Sequence, residues 1–263
     1  MPQKRKRIVV KVGTSTLTYK TGKTNLRRLG ELARVLSDVM NAGNEVVLVS
    51  SGAIGVGTGK LGLQRRPRDT VGRQAAASVG QCELMFIYDK LFGEYNHTVA
   101  QLLITKSDVD DRERRQNLVN TFEKLFEYGA LPIVNENDSV AVEEIVYGDN
   151  DCLSAIVAKL IGADLLVILT DAEGLFDKDP GKCPDAKLIP LVTEITPEIE
   201  ALAGGAGSEL GTGGMATKIH AARIAREAHI DTVVANGTPA ANLYDILDGK
   251  SVGTLFLGEE RNG

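Results

Sequence analysis

Apolar residues in this chain fall into short unbroken runs, separated by stretches in which they recur every three or four positions. The runs are "RIVVKVG" (7–13), "EVVLVSSG" (45–52), "TVAQLLIT" (98–105), "LPIVNEND" (131–138), "DLLVILTD" (164–171) and "TVVANG" (232–237). Each is rich in Val, Ile and Leu and has the length of a strand buried on both faces. The amphipathic spacing between them predicts helices near 25–41, 71–95, 111–128, 151–161 and 214–228, several ending at a glycine such as Gly43, Gly129 or Gly162. Alternation of strand and helix predicts parallel strands joined by right-handed crossovers. Strands this apolar need helices over both faces. The segment "VAVEEIVYGDND" (140–151) alternates enough for a small hairpin. The expected fold is α/β, a mainly parallel sheet sandwiched by helices with a small β-hairpin flap, as one domain over 1–263.

Ligands of such sheets bind beyond the carboxyl ends of the strands, and there the polar residues gather. Lys11 interrupts the first run, which ends "GTST"; the others end "SSGAIGVGTG", "NENDS" and "TDAEG". Any one of these ends reads as an ordinary turn. Four together, with a lysine inside an apolar strand, read as one site. Near the far end of the chain, "LGTGGMATKIHAA" (210–222) is a glycine-rich loop running into a helix, a form that attracts phosphate. Lys218 follows its last glycine by four residues, so it is not a Walker A loop.

Other glycine patterns carry less. "GTSTLTYKTGKT" (13–24) ends like a P-loop, but eight residues separate Gly13 and Gly22 where a P-loop has four. In "LDGKS" (247–251), Tyr244 stands where the first glycine belongs. "GTGKLG" (57–62) fits the dinucleotide fingerprint by letter, yet lies beyond the strand end with no acidic strand end following. "GTGGMA" (211–216) also fits but follows a loop, not a strand.

Composition narrows the partners. The 263 residues carry a formal charge of −5, which gives no reason to expect nucleic acid or membrane binding. The basic start Lys4–Arg7 reads as a solvated terminus, and Lys11 breaks the apolar run that a signal peptide would need. Cys82, Cys152 and Cys183 are odd in number and far apart, as in a reduced, cytoplasmic protein.

A lysine in an apolar strand is costly unless an anion meets it, whether a core carboxylate or a phosphate. Lys11 and Lys218 together suggest two cations aimed at one transferring phosphoryl group, a reaction driven by positioning and charge neutralisation. The segment "NENDSVAVEEIVYGDND" (135–151) concentrates carboxylates and amides. These could pair with a substrate ammonium, orient the lysines, or serve as a general base. His220 and His229 are expected on a helix and His97 just before a strand, none at the inferred edge. That fits an acceptor needing no base, such as a carboxylate already ionised at neutral pH.

The motifs "VVKVGTS", "SSGAI", "DRERRQN", "VNENDSVAVEEIVYGDNDCLSA", "LTDAEGL" and "LGTGGMATK", in this order and spanning about 7–256, closely resemble those of the glutamate 5-kinases, a family of the amino acid kinase fold. The resemblance implies transfer of the ATP γ-phosphoryl group to the side-chain carboxylate of L-glutamate, the first step of L-proline biosynthesis. By motif match, Lys11 and Lys218 are the ATP and transition-state lysines and Asp151 organises them. Ser51, Asp138 and Asn150 bind glutamate. Thr170, Asp171 and the loop Thr212, Gly213, Gly214, Met215, Ala216, Thr217 and Lys218 contact ATP. Mg2+ sits mainly on the phosphates, with no residue expected as its ligand. The halves 1–163 and 164–263 are then the glutamate and nucleotide halves. Feedback inhibition by L-proline and a homo-oligomer are expected. Many members carry a C-terminal PUA domain; this chain stops soon after "SVGTLF", so it reads as a short form without it. Rival readings are a kinase of the same fold acting on N-acetylglutamate, aspartate or a nucleoside monophosphate, and a non-catalytic amino acid sensor. An acetylated amine would not need Asp138, a nucleotide would call for arginines around its phosphate, and a sensor would not need both lysines.

Overall fold

The computed structural model describes residues 6–19, 23–140, 150–203 and 214–260. Among these, the strands are β1 (Arg7–Val12), β2 (Glu45–Ser50), β3 (Val99–Ile104), β4 (Leu131–Glu136), β5 (Leu165–Thr170), β6 (Leu191–Val192), β7 (Asp231–Asn236) and β8 (Thr254–Phe256). The helices are α1 (Thr14–Leu17), α2 (Leu26–Asn41), α3 (Ala53–Lys60), α4 (Thr70–Gly93), α5 (Lys106–Asp110), α6 (Arg112–Glu127), α7 (Asn150–Ile161), α8 (Pro197–Leu202), α9 (Met215–Glu227) and α10 (Asn242–Leu247). One sheet runs β3-β4-β2-β1-β5-β7-β8-β6. It is parallel from β3 to β7; β8 turns antiparallel to β7, and β6 pairs parallel with β8.

The six strands and five helices expected from the apolar pattern are all present. The pattern missed β6 and β8, which are too short to show a period, and the short helices at the strand ends. The hairpin expected over 140–151 falls largely outside the described residues. Among those residues no helix is long and apolar enough to cross a membrane.

Strand alternation divides the core. Ile8, Val10 and Val12 of β1 pack with Leu29, Leu32 and Leu36 of α2, Leu84 of α4 and Leu243 of α10. Val9, Val47 and Ile168 pack on the other face with Phe122 of α6, Leu153 and Val157 of α7, and Ile219 and Ala222 of α9. The amphipathic α2 is started by Asn25, whose Oδ1 accepts from Arg28 N at 3.2 Å. Because alternate side chains share a face, Lys11 follows Val9 toward α7 and α9. The "GTGKLG" pattern turns out to be helical: Gly57 sits in α3 against α4, where a Cβ would lie 1.8 Å from the Ala76 carbonyl oxygen. Gly80 of α4 faces α3 equally closely, with the Ala53 carbonyl oxygen 1.8 Å from its would-be Cβ.

Candidate active site

Three elements deliver three charged side chains to one point near the carboxyl edge of the sheet. β1 carries Lys11, which is 4% exposed. α7 places Asp151 in its first turn, where the positive end of the helix dipole favours an anion. The first turn of α9 carries Thr217 and Lys218. Lys11 Nζ lies 2.6 Å from Asp151 Oδ1, and Lys218 Nζ lies 3.0 Å from Asp151 Oδ2. Thr217 Oγ1 donates to the same Oδ2 at 2.8 Å. Lys218 Nζ also approaches the Gly214 carbonyl oxygen at 3.4 Å. Asp151 is fully buried and Lys218 is 5% exposed. Such charges are tolerated in the interior only when paired. Two ammonium groups thus share one carboxylate where water screens charge little. That is the setting in which a phosphoryl group is neutralised during transfer.

A second cluster adjoins the first through Asn150, the neighbour of Asp151. Asn150 Nδ2 donates to Asn135 Oδ1 at 2.8 Å and to Ser51 Oγ at 2.9 Å, with a longer 3.3 Å contact to the Ser50 carbonyl oxygen. Asn135, buried on β4, donates from its own Nδ2 to Gln81 Oε1 of α4 at 2.9 Å. Among the described residues, none donates a hydrogen bond to Asn150 Oδ1. The structure thus brings together Ser51 and Asn150, both expected from the sequence, and joins to them Asn135 and Gln81, which were not. The signal for Asn135 was present: like Lys11, it is a polar residue within an apolar strand, one position before its end. Gln81 gave none.

Asp138 lies just beyond β4, half-buried. Burial pushes its carboxyl above the usual aspartate range, against the opposing pull of Arg73 and Arg66. Glu136 is raised as well, by burial first and then by the Asp138 charge, with Arg73 opposing. The carboxylates beyond β4 are therefore not alone: Arg66, in the segment before α4, acts on Asp138, and Arg73, in the first turn of α4, acts on both Asp138 and Glu136. Neither was singled out in the sequence, and their presence weakens the argument against a phosphorylated acceptor that rested on a lack of arginines.

On the other side, Thr170 ends β5 buried, and its Oγ1 donates to Asp171 Oδ1 at 3.2 Å. Asp171 is exposed. Met215 packs partly against the core and Ala216 is exposed on the first turn of α9. Thr212 and Gly213 lie outside the described residues. His220 is on α9, but His229 falls past its end in a left-handed turn, its Nδ1 3.0 Å from the Glu259 carbonyl oxygen. None of the three histidines enters either cluster. Among the described residues, no group of three or more His, Cys, Asp or Glu side chains could hold a metal ion.

Residues 6–236 match the model of the amino acid kinase family. A glutamate 5-kinase of Clostridium perfringens is 54% identical over 259 residues, covering 97% of this chain and 96% of that protein. One from Moorella thermoacetica is 56% identical over 255 residues, covering 97% of this chain and 68% of that longer protein. Among solved structures, a UMP kinase of Bacillus anthracis superposes with a TM-score of 0.66 at 18% identity, over 97% of each chain. A carbamate kinase of Giardia lamblia bound to AMP-PNP gives 0.66 at 18% identity, over 98% of this chain and 100% of that one. At such identity these two structures establish the fold alone.

Proposed function

The chain belongs to the amino acid kinase family, and from its curated relatives and its paired lysines we propose that it is a glutamate 5-kinase. It transfers the γ-phosphoryl group of ATP to the side-chain carboxylate of L-glutamate, giving L-glutamyl 5-phosphate and ADP, the first step of L-proline biosynthesis. The observation that carries the chemistry is the pair of buried lysines, Lys11 and Lys218, on one carboxylate, Asp151.

The residue roles follow from the chemistry. The acceptor carboxylate is already ionised, so no proton need be removed before it attacks phosphorus. One O–P bond forms, the bond from the γ-phosphorus to the bridging oxygen breaks, and ADP leaves with that oxygen. The obstacle is repulsion between two anions, which Lys11 offsets from the acceptor side and Lys218 from the nucleotide side. Asp151 holds both ammonium groups on target, and Thr217 holds Asp151. Thr170, Asp171 and residues 214–218 are assigned to the nucleotide, as are Thr212 and Gly213 by the same motif. Bound with ATP, Mg2+ would add further neutralisation of the phosphate charge and would take few protein ligands, as is usual for this ion.

In the acceptor half, Asn150 spends its N–H donors on Ser51 and Asn135. Its Oδ1 accepts from the substrate ammonium, whose charge Asp138 balances. Ser51 Oγ already accepts from Asn150, so its own hydroxyl proton is available to a substrate carboxylate. L-Proline has the same α-ammonium and α-carboxylate and no side-chain carboxylate, so it competes for Asp138 and Asn150 without reaching the lysines.

ATP-dependent acyl hydroxamate formation, assayed with glutamate, aspartate and N-acetylglutamate, tests the reading. Product from glutamate in clear preference to the others is expected. Equal or greater kcat/KM with another acceptor would reassign the substrate, and no product from any acid would make the protein a sensor.

A further inference from the structure

The amide groups of the acceptor side form a chain with one allowed polarity. The Ser50 carbonyl oxygen can only accept, so the Asn150 group facing it, 3.3 Å away, is the nitrogen. Asn135 must then turn its Oδ1 to Asn150 and its Nδ2 outward, and that Nδ2 needs an acceptor. Gln81 Oε1, at 2.9 Å, is that acceptor. Take it away, and Asn135 gains by turning over to find another partner, presenting N–H to N–H at Asn150. Asn150 would then have to turn as well, exposing donors where an ammonium must be received.

We propose that Gln81 is a positioning residue for the substrate amino group: through Asn135 it fixes which end of the Asn150 amide the acceptor meets. The proposal rests on the assignment of Asn150 to that amino group. Gln81 touches no reacting atom. It lies on α4, one residue beyond the glycine that packs this helix against α3, so its backbone is held firmly. Its side chain lines a cavity of about 410 Å³ that Glu136 and Asp138 also line, so it is reachable from solvent and depends on Asn135 to hold one orientation.

Two substitutions separate this role from a structural one. Gln81→Met keeps the length of the side chain and loses the acceptor. Gln81→Glu keeps an acceptor for Asn135. Gln81→Met should raise KM for glutamate about ten-fold, the scale of one hydrogen bond to a charged group spoiled. It should leave kcat, KM for ATP and Tm close to wild type. Gln81→Glu should leave KM for glutamate unraised. In an Asn150→Ala background, Gln81→Met should add nothing further. The proposal is overturned if Gln81→Met leaves KM for glutamate unchanged, or if both variants raise it equally. It is overturned too if the loss appears in kcat and KM for ATP, or persists undiminished when Asn150 is already Ala. Should Asn150→Ala alone leave KM for glutamate untouched, the assignment of Asn150 fails, and the proposal with it.

Discussion

Replacing Asp151 by Asn tests the charge balance on which the site is built. The change keeps the shape of the side chain and removes its charge, leaving Lys11 and Lys218 buried without their common counter-ion. At 2.6 and 3.0 Å, and an effective dielectric constant of about 20, each pair gains about 6 kcal/mol of gross attraction. Most of that offsets the desolvation of the ions, and breaking a buried pair by removing one partner typically costs about 3–5 kcal/mol. For a chain of this length that is a fall in Tm on the order of 10 °C. Removing one cation as well should restore much of the balance, so Asp151→Asn/Lys11→Met should be less destabilised than the two single changes summed. Inorganic phosphate, which can substitute for the missing carboxylate, should stabilise Asp151→Asn more than wild type. Thermal melts of the four proteins, each with and without phosphate, measure all of this. If Asp151→Asn fails to fold, the double variant still reports the restored balance. A fully additive double variant, or phosphate stabilisation equal to that of wild type, would refute the charge argument.

Lys218→Ala and Lys11→Ala should each lower kcat by about 100-fold or more, since each removes a charge proposed to meet the transition state; near-normal turnover in either folded variant contradicts the assigned role. Asp138 must be ionised to hold an ammonium and its carboxyl is raised by burial, so the acid fall of kcat/KM for glutamate should begin at higher pH than an ordinary aspartate gives. Arg73 favours the ionised form, so Arg73→Gln should move that fall to still higher pH, and a shift to lower pH would reverse the assigned sign. Proline should inhibit competitively with glutamate, and Asp138→Ala should weaken both ligands together while KM for ATP stays put. Initial-rate curves showing inhibition that glutamate cannot reverse would place proline elsewhere.

What could be read in the sequence was whatever left a local mark. β1, β2 and β5 announce themselves as apolar runs because both of their faces are covered, and Lys11 stands out because it breaks one. Topology places Lys11 at the carboxyl edge of the sheet, its pairing with Lys218 follows from two cations beside a phosphate-attracting loop, and the place of Asp151 between them came only with the family resemblance. Gln81 left no mark, because a polar residue on a helix carries no sign of which neighbour it will meet. Arg66 and Arg73 were hidden for a related reason, since they act across space on Asp138, one from a polar segment that looks like any solvated turn and the other from the first turn of α4. Gly57 was visible, and its match to the dinucleotide fingerprint was set aside for want of context; the contact with α4 accounts for it.

That contact bears on how the protein can vary. At positions 57 and 80 even a methyl group would collide with the carbonyl oxygen of the facing helix. Lineages carrying this fold should therefore hold both glycines as stubbornly as they hold Lys11 and Lys218, though neither glycine is assigned a contact with substrate. In a saturation library selected for proline prototrophy, the two kinds of position would look equally intolerant. They should separate when the library is sorted for folded protein alone: the lysines then admit replacements, and the glycines still do not.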